Sequence, residues 1–108
     1  MKDTLDFILA HRIKTHSDMF LGSPDAEAFV RLCREKKIRI QGFDGFFLLP
    51  NNVVQIEQDI SADYSKTDPD TAYELAIKFF QEHREAGIGY EIIYDDLSED
   101  WKAIKGRE

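Results

Sequence analysis

The stretch Ile38-Arg-Ile-Gln-Gly-Phe-Asp-Gly-Phe-Phe-Leu-Leu-Pro-Asn-Asn-Val-Val-Gln-Ile-Glu57 decides the fold. It reads as strand, turn, strand, turn, strand. Apolar runs at 46–49 and 53–56 flank Pro50-Asn51-Asn52. Asparagine tolerates the positive φ that a tight hairpin turn demands. Proline has no N–H to give to a ladder, so Pro50 belongs at a strand end. Gly42 and Gly45 bracket Phe43-Asp44 and predict a bend or bulge. The expected strands are 38–41, 45–49 and 53–57, joined as an antiparallel meander.

Upstream, two helices are expected. Asp3 or Thr4 can cap the first, and Leu5, Ile8, Leu9 and Ile13 follow at helical spacing. That pattern predicts an end near Thr15 or His16. Ser23-Pro24-Asp25 starts the second. Serine accepts from free backbone N–H groups, proline fits the first helical position, and Asp25 faces the positive helix end. Ala26, Phe29, Val30 and Cys33 form its apolar face, and Arg34, Lys36 and Lys37 complement its negative end.

Downstream, residues 58–68 read as an acidic loop. Asp68-Pro69-Asp70 repeats the helix-start chemistry. Ala72, Leu75, Ala76, Phe79, Phe80 and His83 then give a helical stripe, with Gly87 as its C-terminal cap. Tyr90-Glu-Ile-Ile-Tyr94 reads as a fourth strand, and 98–105 as a short terminal helix with Trp101 and Ile104.

The order α-α-β-β-β-α-β predicts an α+β domain of two layers, helices covering one sheet face. The fourth strand, arriving by a helical crossover, is open to parallel pairing. A length of 108 residues, 43 % of them hydrophobic, suits one globular domain over 1–108. Cys33 is the sole cysteine, so no intrachain disulfide forms and a reducing cytoplasm is expected. The apolar run Phe7–Ala10 is too short for a signal-peptide core, and no stretch has the length of a membrane span.

Charge is unevenly spread. Residues 1–40 carry eight bases against six acids, a net of +2, so the rest must hold −9 to reach the total of −7. An acidic surface repels phosphate backbones and attracts basic surfaces, so nucleic acid is not an expected partner, although the basic run Arg31–Arg39 tempers that.

No motif for catalysis or metal binding stands out, and no cofactor is expected. Asp59, Ser61, Asp63, Ser65 and Asp70 match the spacing of an EF-hand calcium loop. Tyr64 stands where such a loop needs glycine, and Asp70 where it needs the longer Glu, so a solvated loop is the better reading. His11, His16 and His83 make no zinc-type pair. Cys33, on the face of Phe29 and Val30, reads as a buried small residue rather than a nucleophile.

The feature of most weight is an acidic, aromatic-bearing surface. Glu57, Asp59, Asp63, Tyr64 and Asp68 lie in one segment, and Asp95, Asp96 and Trp101 follow the last strand. If the two strands they leave are neighbours, these residues merge into one patch. Rings anchor such an interface and charges set encounter rate and orientation. In size, acidity and lack of cofactor motifs the chain resembles the immunity proteins that bacteria make against their own nuclease toxins. That resemblance implies a protein-binding domain without enzymatic activity, whose acidic face covers a basic toxin. The alternative is a small-ligand module or enzyme with a pocket near Asp44, which requires His16 or His83 to approach Asp44. A homo-oligomeric subunit joined through an exposed edge strand or the Trp101 tail is a third reading.

Overall fold

The Asn51-Asn52 turn forms as its residues demand. Both lie at positive φ, 62° and 61°, and the Val53 N–H points to the Pro50 carbonyl at 3.4 Å. The structure, a computed structural model, describes residues 2–16 and 19–95. Its elements are α1 (Lys2–His11), α2 (Ser23–Glu35), β1 (Ile40–Leu49), β2 (Val53–Asp63), α3 (Pro69–Glu82) and β3 (Ile88–Tyr94). The expected α+β class holds, with one strand fewer than the order α-α-β-β-β-α-β. The terminal helix expected at 98–105 lies outside the described residues.

The expected strands at 38–41 and 45–49 are one strand, β1. Three strands form the sheet, in the order β2-β1-β3, and both pairings are antiparallel. The glycines do not turn the chain because β1 is held from both sides. Phe43 pairs with Ala62 and Ile92, and Gly45 with Glu57 and Tyr90. What the glycines do is admit close neighbours. A Cβ on Gly42 would sit 2.2 Å from the Ala62 carbonyl oxygen, and one on Gly45 2.4 Å from that of Ile60. A bulge falls on the β2 side, where the register shifts between Phe43 and Gly45, and a second shift lies on the β3 side between Ile40 and Gly42. The Ser61 hydroxyl donates to the Glu57 carbonyl and accepts from the Gly45 N–H. Residues 58–63, expected as loop, are therefore strand.

The helices cover one sheet face. Phe29, Val30 and Cys33 of α2 and Ala72, Ala76 and Phe80 of α3 are buried against Phe43, Tyr90 and Ile92. Phe43 is the hub, with ring centroids 4.7 Å from Phe80, 4.9 Å from Phe79 and 5.8 Å from Tyr90. Tyr73 of α3 ties the layers together by donating its hydroxyl to the Ile38 carbonyl at 2.5 Å. The second face carries Phe46, beside Ile56 on β2, and Leu48, beside Val54. Phe20 packs on Phe46 there, ring centroids 4.9 Å apart.

Three helix ends differ from the sequence reading. α1 stops at His11 because the chain reverses: the Ile13 N–H reaches the Phe20 carbonyl, and His16 Nε2 lies 2.9 Å from the Leu49 carbonyl. The N-cap of α2 is Gly22, with Ser23 buried inside the first turn and no side-chain cap. α3 is capped at its start as expected, by Asp68 accepting from the Thr71 N–H at 3.2 Å. It ends at Glu82, and Gly87 serves instead in the turn into β3, where its carbonyl accepts from the Leu48 N–H.

The C-terminus of α2 is a Schellman turn. The Ile38 N–H bonds the Cys33 carbonyl and the Lys37 N–H the Arg34 carbonyl. Such a turn needs a left-handed residue, usually glycine, and here that residue is Lys37 at φ 58°. A side chain in that region costs about 1 kcal/mol.

Glu27 joins α2 to α3. It accepts from Arg31 at 2.9 and 3.0 Å, from Arg84 at 2.6 Å and from Gln81 at 3.3 Å. Burial works to raise its pKa, but the bonds from Arg31 and Gln81 and the charges of Arg31 and Arg84 outweigh it and hold the carboxyl below its usual value. A depressed carboxyl contributes stability above its unfolded pKa and loses it as pH falls through the folded one. The stability gap between wild type and Glu27→Gln is therefore expected at pH 7 and to close below about pH 4. Urea midpoints at the two pH values measure it; a gap that persists in acid contradicts the ionised role.

Candidate functional site

The acidic segment begins on β2 and continues into the loop before α3. Glu57 is the last paired residue before the bulge and Asp59 lies within it, and Glu57 Oε1 accepts from the Asp59 N–H at 3.3 Å. Asp63 ends the strand with Oδ1 accepting from the Ser65 N–H at 2.9 Å. Hydrogen bonds from Ser65, and then the charge of Lys66, keep its carboxyl below the usual range, so Asp63 is ionised at neutral pH. Tyr64 turns its ring against Phe43, centroids 6.0 Å apart, and is half-buried, which raises its pKa. It is thus in part a packing residue. Asp68 is committed to capping α3 through the Thr71 N–H and hydroxyl. These two are less available to a partner than Glu57, Asp59 and Asp63.

The second acidic segment lies across β1. Asp95 gives its N–H to the Arg39 carbonyl and accepts from Gln41 Nε2 at 2.6 Å. On the other side the Gln41 carbonyl accepts from the Tyr64 N–H. The strands carrying the two segments are not neighbours, so one merged patch does not follow: two strand spacings, about 9–10 Å, part them. Asp96 and Trp101 lie outside the described residues.

β2 itself holds what the sequence reading passed over. It is an edge strand, and among the described residues nothing pairs with its far side. The opposite edge is protected: Leu21 bridges β3 through reciprocal bonds with Tyr90 at 2.8 and 2.9 Å. β2 exposes Val53, Val54 and Ile56, the last by 50 %. Its eleven residues include no lysine and no proline, so the half from Val53 to Ile56, before the bulge and the carboxylates, is the unguarded part of the edge. The signal was present in Val53-Val54-Gln55-Ile56, but only strand order reveals it as an edge. The chain matches no protein-family model and no curated protein.

The groups that the ligand or enzyme reading needs do not converge. Asp44 pairs with Glu91 on the sheet face away from the helices. His83 belongs to the helical layer, its ring stacked 3.9 Å from that of Phe79 and its Nδ1 2.9 Å from the Phe79 carbonyl. His16 sits at the hairpin end, five β1 residues from Asp44, roughly 17 Å of strand. Cys33 is fully buried, and burial pushes its thiol up to about 12, which leaves it unreactive. Asp59, Ser61 and Asp63 are strand residues rather than a calcium loop. Among the described residues no three His, Cys, Asp or Glu side chains gather as a metal site. No described helix is long and apolar enough to cross a membrane.

Two clefts are lined by cations. One of about 490 Å³ lies among Arg12, Ile13, Lys14, Thr15, His16 and Asn52. The other, about 300 Å³, lies between the end of α2 and the start of α3, among Arg34, Lys37, Arg39, Pro69, Asp70 and Tyr73.

Proposed function

We propose that this protein is a binding domain that docks a basic protein partner along the open edge of β2, in the manner of an inhibitor that covers a functional surface. The observation that carries the reading is what that edge presents. Unpaired backbone groups, the exposed Val53, Val54 and Ile56, and the carboxylates of Glu57, Asp59 and Asp63 follow one another along a single strand. Edge backbone gives pairing energy, side chains alternating along it give selectivity, and charge gives orientation and encounter rate. A basic strand or loop satisfies all three. Self-pairing through the same edge is opposed by a net charge of −7 on each copy. The finer expectation, a toxin as the partner and the cytoplasm as the place, rests on the resemblance to immunity proteins.

The test is affinity capture with the tagged chain from its native lysate, at low and high salt, followed by binding kinetics with the purified partner. One basic protein is expected, held at low salt and weakened at high salt. Glu57→Lys/Asp59→Lys/Asp63→Lys is expected to slow association by about 10–100-fold at low salt. Val54→Lys/Ile56→Lys is expected to raise the dissociation rate while leaving the fold intact. Kinetics unchanged by both variants rule the β2 edge out as the docking surface.

A further inference from the structure

We propose that the cleft between α2 and α3 is a binding site for a dianionic phosphate group. The cleft is lined by Arg34, Lys37 and Arg39 against one carboxylate, Asp70, a local charge of +2. A phosphate monoester carries about −1.5 to −2 at neutral pH. The volume, about 300 Å³, is at the lower end of small-ligand pockets and admits a phosphate with a small organic group. Pro69 and Asp70 place the first turn of the 14-residue helix α3 at its wall; the Asp68 carboxylate already caps that turn, so the bases supply the attraction for an anion.

Two further observations make this a built cleft rather than a chance gathering of bases. Arg39 gives one terminal nitrogen to the Ser65 carbonyl at 2.6 Å, which fixes the guanidinium, while its buried Nε has no hydrogen-bond partner. A buried donor without an acceptor is costly, and a shift of the guanidinium toward a bound oxyanion relieves that cost. Lys37 holds the left-handed position of the α2 end, where glycine is the relaxed choice. There its charge complements the negative end of α2 and adds to the positive potential of the cleft. This inference is independent of the β2 edge.

Amide shifts of the 15N-labelled full chain, followed at constant ionic strength, test it with three probes: phenyl phosphate, inorganic phosphate and methyl phenyl phosphate, a singly charged diester. The two dianions are expected to move residues 34–39 and 69–73 saturably, with the diester about tenfold weaker. Tighter binding of phenyl phosphate assigns the site to a phosphorylated small molecule, and equal binding to free phosphate. Arg34→Gln/Arg39→Gln is expected to weaken phenyl phosphate by at least about tenfold. Lys37→Gly separates binding from folding: it is expected to raise Tm by roughly 4 °C while weakening phenyl phosphate about threefold. No saturable shift at the cleft, equal binding of the diester, or full binding by the double variant overturns the proposal.

Discussion

Phe43→Ala is expected to lower the free energy of unfolding by about 4 kcal/mol, a large part of what a domain of this size possesses. Phe43 is 1 % exposed, on the central strand. Its ring meets those of Phe79, Phe80, Tyr90 and Tyr64, which come from α3, β3 and the loop after β2. Four aromatic neighbours from three parts of the chain cannot all move inward to fill one void, so the cavity term adds to the lost transfer free energy. Urea denaturation is the measurement: the midpoint falls and the slope stays the same. A loss below about 1.5 kcal/mol contradicts the hub role, because it means that the neighbouring rings collapse freely into the space.

Gly42→Ala is expected to cost about 4 kcal/mol or more, in spite of adding a single methyl group. Two causes combine at this position. Its φ of 151° is one that L side chains rarely adopt. The new Cβ would also stand 2.2 Å from the Ala62 carbonyl oxygen, a backbone atom held by the ladder between β1 and β2. Relief requires opening that ladder beside the bulge. Gly87→Ala is the control, because Gly87 has φ 82° with open space where its Cβ would go. Strain alone is expected there, about 1 kcal/mol. Equal losses at the two sites contradict the close approach of β2 to β1.

The bulge has a consequence for the proposed interface. It breaks the β2 ladder between Ala62 and Glu57 and leaves Asp59 exposed on the outer strand. Val53, Val54 and Ile56 lie in the regular half that follows the turn. Apolar contact and charge are thus sorted along the strand, the former toward the hairpin and the latter toward α3. A partner that pairs with β2 meets the two in a fixed order, which fixes its direction.

How far the sequence reads depends on the range of each signal. Asn51-Asn52, Asp68 as a cap, the apolar stripe of α2 and the burial of Cys33 were all legible, as was the stripe of α3 except that Leu75 is exposed and Tyr73 and Ile77 are buried. Each follows from backbone sterics, hydrogen bonding or periodicity within about ten residues. The pair Gly42 and Gly45 shows where that range ends. Locally it signals a bend, and a bulge is indeed there. Whether the chain turns or runs through was decided by strands arriving from residues 53–63 and 88–94. With partners on both sides, β1 stays extended and becomes the centre of the sheet.

Strand order then decided the sites. A central β1 parts Asp63 from Asp95, so acids that look continuous by composition form two groups. It also leaves β2 at an edge, which turns Val53-Val54-Gln55-Ile56 from an ordinary strand into a free surface. Packing of α2 on α3 brought Arg34, Lys37 and Arg39 opposite Pro69 and Asp70, although sequence alone explained Arg34 and Lys37 as partners of a helix end. The chain's residues determined the helices and the hairpin turn, because those choices are settled among near neighbours. Only the tertiary structure decided which edge is open and which charges face one another, because those depend on how distant segments share one core.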